Sequence, residues 1–254
     1  MDLSIDTLTF IQSVLKTAKL VKIQNVIIEP GKIRAMDDAQ TVVIFQTINI
    51  PEMEFGSIGL NRIDVFMSRF DIIRTTSGFV IEATTAGMDP SIGYDKYDLK
   101  QKNIDPPMWA KSIKMTGKNT NIDYRCTNPS LMKAPKSRND DAKYLIKMNN
   151  EAFNMIQKGK TAMQSELISF VGTAKGVFIH LTDINGDVLK YKFSDKIETV
   201  NKTDISVPTF QYNYNIETLL PIFKQDPEVN FNITHKGFLV VNINGLDIFL
   251  APRT

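Results

Sequence analysis

At 254 residues, with 43% hydrophobic and 23% charged residues, the chain has the length of one large domain or two smaller ones and enough apolar material for a proper core. Its formal net charge of +2 excludes a protein that coats nucleic acid by bulk charge, so any phosphate contact must come from charge gathered on one surface. The single cysteine, Cys126, excludes an intramolecular disulfide and fits a reducing cytoplasm.

The chain opens Met1-Asp2-Leu3-Ser4, acidic and without the basic and apolar regions of a signal peptide. Its apolar runs fall far short of the 18 or so residues that a membrane span needs. A soluble protein of the cytoplasm (the host cell's, if the source is viral), with no membrane partner, is expected. From Asp6 onward, Leu8, Ile11, Val14, Leu15 and Ala18 recur at three- and four-residue spacing, which lines one face of a helix. Ser4 or Asp6 would cap its start, and Lys16 and Lys19 fall near its C-terminal end, where the helix dipole favours cations. Strand patterns follow over residues 22–29, 32–36 and 40–50, the first two joined by a Pro30-Gly31 turn. A short helical pattern covers 61–70, and strands resume at Asp71 and Phe79.

The second half repeats this layout. A strand pattern over 144–148 leads into a helix over 150–163, then strands over 167–171, 177–181 and 188–193. Asn185-Gly186 suits the positive φ angles of a type I′ hairpin turn, as does Asn244-Gly245 further on. A strand over 210–213, a short helix to Phe223 and strands over 229–234, 238–243 and 246–250 complete the chain, with Pro221 arguing for a short or irregular helix. The two short helices share a pattern. Ile63-Asp64-x-Phe66-Met67-x-x-Phe70 mirrors Ile216-Glu217-x-Leu219-Leu220-x-x-Phe223, which points to an internal duplication. Between the halves, residues 127–143 are rich in Pro, Lys, Ser, Asn and Asp without apolar period and read as an exposed linker.

No catalytic constellation emerges. Two histidines, His180 and His235, and one cysteine argue against a Cys/His zinc site. His180 lies in an alternating strand segment, where a hydrogen-bonded or solvated histidine is the ordinary reading. Gly159-Lys160-Thr161 resembles the end of a phosphate-binding loop, but the glycine that motif needs five residues earlier is Asn154. Asp183-Ile184-Asn185-Gly186-Asp187 lacks the spacing and closing Glu of a calcium loop and reads as a hairpin turn. Neither a dinucleotide fingerprint nor a nucleophile elbow is present. The expectation is a non-enzyme with no metal and no cofactor.

Two segments carry a resemblance. Ile33-Arg34-Ala35-Met36-Asp37-Asp38-Ala39-Gln40-Thr41-Val42-Val43 resembles the Met-Asp-Ser-Ser-His-Val strand–turn–strand of the DNA sliding-clamp family, which includes proliferating cell nuclear antigen and the clamps of tailed phages. Ile248-Phe249-Leu250-Ala251-Pro252-Arg253 is similar to that family's closing Tyr-Leu-Ala-Pro-Lys. The general layout covers nearly the whole chain, and the section 89–119 matches poorly. High Asn and Lys use and a short first strand lean toward a phage or other viral clamp.

The resemblance implies an α+β DNA-clamp fold, in which two similar domains each pack two helices on antiparallel sheets. Its expected bounds are 1–126 and 144–254, with 127–143 as the interdomain connector. It further implies a head-to-tail homotrimer forming a closed ring around double-stranded DNA, without sequence preference. A DNA polymerase and an ATP-dependent clamp loader would be its partners. Lys16, Lys19, Lys22, Arg62, Arg69, Lys158, Lys160 and Lys224 would face DNA from the helices. With Asp6, Asp64, Glu151 and Glu217 set against these eight cations, the helices keep a positive surplus that the rest of the chain offsets. The bland alternative for any of them is a solvated helix face. A partner-peptide pocket would involve Met36, Gln40, Val43, Leu131, Met132, Leu250, Ala251 and Pro252, unless these are plain core. The subunit interface would pair edge strands carrying Ile122 and Tyr124 on one side and Val188, Lys190 and Lys192 on the other. Gln40 stands where the family usually has His. The Lys-rich stretch 96–118, with the only tryptophan, Trp109, reads either as a lengthened hairpin or as a contact for a loader or other partner. A monomeric processivity factor of the same fold, holding DNA by a basic face, is the competing reading.

Overall fold

The computed structural model describes residues 3–46, 55–76, 78–87, 108–135, 140–200 and 209–253. The chain folds as two compact units, Met1–Ser137 and Arg138–Thr254.

In the first unit, α1 (Ile5–Leu20) buries the expected stripe of Leu8, Ile11, Val14, Leu15 and Ala18. Ser4 is its cap, with the hydroxyl oxygen accepting from the Thr7 N–H at 3.1 Å. Lys22 then takes a left-handed φ of 62°, so the strand expected from residue 22 starts only at Val26. Strands β1 (Val26–Glu29), β2 (Lys32–Met36), β3 (Val42–Gln46) and β4 (Ile58–Leu60) form an antiparallel sheet in the order β3-β2-β1-β4. Gln40, expected at the start of a strand, sits in the β2–β3 turn with φ of 56°. Asp37 builds that turn: its carboxylate accepts from the Thr41 N–H, the Thr41 hydroxyl and the Val42 N–H at 2.6–2.8 Å. Residues 47–50 of the expected strand lie outside the described residues.

The second helix, α2 (Ile63–Arg74), runs four residues past its expected end. Ile73 continues the buried spacing of Ile63, Phe66 and Phe70, so the helical face outlasts the polar residue Asp71, which had read as a strand start. Each such buried side chain contributes about 1.5–3 kcal/mol of apolar transfer. A second sheet joins β5 (Val80–Gly87), β6 (Met108–Gly117) and β7 (Thr120–Arg125) with β6 in the middle. Of the Lys-rich stretch, 108–117 is thus strand β6, and 96–107 lies outside the described residues.

In the second unit, β8 (Ala142–Lys147), β12 (Glu198–Thr199), β14 (Asn230–Thr234), β15 (Leu239–Ile243) and β16 (Leu246–Leu250) form one antiparallel set in the order β12-β8-β14-β15-β16. A four-stranded sheet has the order β11-β10-β9-β13, from β9 (Leu167–Thr173), β10 (Gly176–Thr182), β11 (Val188–Ser194) and β13 (Phe210–Asn215). Helix α3 (Asn150–Met163) has the expected bounds and takes its cap from Asn149. Helix α4 (Ile216–Gln225) accommodates Pro221 within its ten residues. The matched octamers open α2 and α4 at the same step. Ile63, Phe66 and Phe70 are buried in one, and Ile216, Leu219, Leu220 and Phe223 in the other.

The two Asn-Gly hairpins differ. Asn244 and Gly245 have φ of 53° and 78°, the type I′ form. At Asn185-Gly186 only Gly186 has a positive φ, 90°. There Asp183 captures the N–H groups of Asn185 and Asp187, both at 2.8 Å, which opens a wider turn ending on the left-handed glycine.

Candidate functional site

The helices of each unit are joined by an ion pair at equivalent positions. In the first, Lys19 of α1 reaches Asp64 of α2 at 2.7 Å, and the Gln24 amide adds a hydrogen bond at 2.8 Å. Those two contacts, Lys19 first, hold the Asp64 carboxyl below its ordinary range. In the second, Lys160 of α3 pairs with Glu217 of α4. Asp64 and Glu217 are the second residues of the matched octamers, so the duplication extends to this contact. Two of the eight candidate DNA-facing cations are therefore already offset by a carboxylate. Lys16, Lys22, Lys158 and Lys224 are exposed and make no ion pair among the described residues.

Arg62 and Arg69 meet an aromatic ring. Their guanidinium groups lie over the ring of Tyr124, 5.7 and 5.9 Å from its centroid, and Arg69 also donates to the Asp123 carbonyl at 3.2 Å. Tyr124 itself is fully buried, edge-on to Phe66 at 5.0 Å, and its burial raises the phenol's pKa. Its side chain is core, because β7 alternates and Ile122 and Tyr124 share the inner face.

The two strands expected to meet another copy each end a sheet. β7 has β6 on one side, and β11 has β10 on one side, with no further strand beyond either in its own unit's sheet among the described residues. The Cys126 N–H donates to the Lys111 carbonyl, so in the antiparallel ladder the backbone groups of Asn121, Asp123 and Arg125 turn away from β6, with the Asp123 carbonyl accepting from Arg69. By the same alternation, counted from the Asp183–Asp187 bond, those of Val188, Lys190 and Lys192 do so on β11. On β11 these are the residues expected from the sequence for a subunit interface, and on β7 they are the neighbours of the expected Ile122 and Tyr124. An edge is defined by its outward backbone groups, which apolar character does not reveal.

The start of the connector is tied down, which corrects its reading as exposed linker. It contains a 3-10 turn, Pro129–Leu131, with Pro129 buried. The Thr127 N–H bonds the Gly59 carbonyl, and the Met132 sulfur lies over Gly59, where a Cβ would come within 2.6 Å of it. Three residues on, Arg34 donates to the Pro135 carbonyl at 3.4 Å while held by Glu29 through two 2.8 Å bonds. Gly59, Ile27 and Arg34 are one cross-strand row, so residues 127–135 form a strap along that row. This explains why Ile27, which alternation would expose, is 1% exposed. Residues 136–139 of the connector lie outside the described residues.

The pocket candidates divide accordingly. Met36 and Val43 are cross-strand partners and half-buried, while Gln40 is exposed in its turn. Leu131 is 66% exposed on the strap and Met132 is packed. In the second unit, Leu250 is buried core and not available to a partner, whereas Ala251 and Pro252 are half-buried. They lead to Arg253, whose N–H donates to the Asn213 carbonyl at 2.7 Å.

The look-alike motifs have structural roles. Gly159 lies inside α3 against Leu181, whose methyl a Cβ would meet at 2.5 Å. Cys126 is half-buried, and the desolvation pushes its thiol up to about 12.

No protein-family model and no curated protein sequence matches the chain. Among solved structures, the C. crescentus beta sliding clamp is similar over 100% of this chain and 66% of its own, with a TM-score of 0.63 at 12% identity. PCNA from Thermococcus kodakaraensis is similar over 97% of both chains, with a TM-score of 0.54 at 11% identity. A. fulgidus PCNA, solved with the C-terminal region of FEN-1, is similar over 95% of this chain and 96% of its own, at 0.55 and 14%. The chain thus spans about two thirds of the C. crescentus protein and nearly all of the other two. At these identities the likeness is one of fold: mixed α+β, with four helices and antiparallel sheets among the described residues.

Proposed function

From the sliding-clamp fold of this chain we propose that it is a DNA sliding clamp, a non-enzymatic processivity factor that encircles duplex DNA and tethers a DNA polymerase. The observation that carries the reading is likeness over almost the full length of both chains in the T. kodakaraensis comparison. The proposed clamp domains, 1–126 and 144–254 with the connector 127–143, fall within the two units, of which the first takes in residues 127–135 and the second the start of β8 at Ala142. Three copies joined head to tail give a ring of six domains, and a heterologous interface of this kind must close to avoid a filament.

The free edges of β7 and β11 support that assembly. Joining them satisfies outward backbone groups that would otherwise invite uncontrolled pairing. It also brings Asp123 on one edge toward Lys190 and Lys192 on the other. Lys16, Lys22, Lys158 and Lys224 are the cations free to meet phosphates, with Lys19 and Lys160 softened by their carboxylates and Arg62 and Arg69 held over the Tyr124 ring. Contacts of that kind are sequence-independent and salt-sensitive. A closed ring needs an ATP-driven loader to open it. Partner peptides are proposed to use Met36, Val43 and Leu131 in the first unit and Ala251 and Pro252 in the second, and a phage or viral source fits the composition.

Topology provides the test. Protein threaded at high concentration onto linear duplex, whose two ends are then blocked, should remain bound after dilution and leave when the ends are open. Equal loss from blocked and open DNA would show ordinary binding and overturn the reading.

A further inference from the structure

In the sheet β11-β10-β9-β13, Ile168 and Phe170 on β9 and Val177, Ile179 and Leu181 on β10 are buried against the core. The opposite face of such a sheet is ordinarily polar. Here its centre holds Val171 and Phe178, paired across β9 and β10, with His180 next along β10. The register sets Lys190 opposite His180. With Thr173 and Lys175 these side chains line a recess of about 420 Å³.

The chemistry of the recess is one-sided. Phe178 and His180 are half-buried, their rings tilted at 56° and 6.4 Å apart, so each offers apolar surface to a guest. Lys175 and Lys190 are exposed at its rim and make no ion pair among the described residues, and no carboxylate is among the lining residues. An apolar floor beneath unpaired cations matches an anionic ligand with an apolar anchor. Single-stranded nucleic acid also combines anions with rings, but it binds along a series of presented aromatic faces. A single recessed phenylalanine suits one inserted side chain.

We infer that this recess is a docking site for an acidic peptide segment of a partner protein, with an aromatic or aliphatic side chain seated on Val171 and Phe178 and carboxylates on Lys175 and Lys190. The recess lies within one unit; Lys190 is shared with the β11 edge proposed to meet Asp123 of another copy, so Lys175 is the rim cation that ring formation leaves untouched. His180 reports on occupancy. Burial, then the charge of Lys190, holds its imidazole below the ordinary range, and a bound carboxylate would act in the opposite direction. Lys175 and Lys190 are the other titratable groups lining the recess.

The probe is a fluorescein-labelled decapeptide in which Glu and Asp flank a Phe-Leu pair, followed by anisotropy and by the His180 ring signals in NMR. Saturable binding is expected, with an upward shift of the His180 titration midpoint. Lys175→Glu and Phe178→Ser should each weaken it about tenfold, the size typical of losing one anchor at an interface. Both substituted side chains lie on the outer face, and an unchanged amide spectrum elsewhere verifies folding. Three results would overturn the inference: no saturable binding, binding indifferent to both substitutions, or displacement of the peptide by oligo(dT), which would make nucleic acid the occupant.

Discussion

An alanine at position 59 would set its Cβ 2.3 Å from the Thr127 carbonyl oxygen and 2.6 Å from the Met132 sulfur, with backbone as the nearer obstacle. Gly59→Ala must therefore lift the strap from β4, and overpacking of this kind costs about 1–3 kcal/mol. Urea denaturation should show the lower midpoint; an unchanged one would mean that the strap does not press on the sheet. Cys126, at the head of the same strap, gives a pH signature. Desolvation pushes its folded thiol up to about 12 from an ordinary 9.0. Between those values the unfolded chain has released a proton that the folded chain retains, so stability is full below pH 9 and falls as pH rises toward 12. At pH 8 the native thiol should resist iodoacetamide and react once urea is added. Rapid alkylation of the native protein would contradict that desolvation.

At the scale of elements, the paired helices balance packing against charge. Lys19–Asp64 and Lys160–Glu217 are largely exposed pairs, which contribute little to stability. Their larger effect is to remove two cations from the surface proposed to meet phosphates. Asp64→Asn with Glu217→Gln should therefore leave folding nearly unchanged and tighten duplex DNA binding about two- to fivefold, with a steeper salt dependence. Unchanged affinity would mean that these helix ends do not face DNA. Much at this scale was legible in the sequence. α1, α3, β2 and β16 follow from clean apolar periods and caps, and the octamer repeat marked the starts of α2 and α4. Other features were hidden for physical reasons. Ile73 prolongs α2 past a polar residue, and Asp183 diverts one Asn-Gly pair from the turn that Asn244-Gly245 adopts. Tyr124 and Leu250, named from motif and apolar character, are core, whereas the outward turn of Asn121, Asp123 and Arg125 follows from sheet order, which the sequence does not display.

For the whole molecule, a net charge of +2 leaves little electrostatic attraction to hold DNA by itself. A duplicated chain that carries the edge strands β7 in one unit and β11 in the other offers a different means, enclosure, in which retention comes from closure and the contacts can stay weak. That account stands or falls with the oligomeric state. The most direct measurement is the mass in solution, by light scattering at near-physiological salt across a wide concentration range. The ring predicts a value near three times 28.7 kDa. A clean monomer throughout would contradict it and favour a single-copy processivity factor that binds DNA by one face.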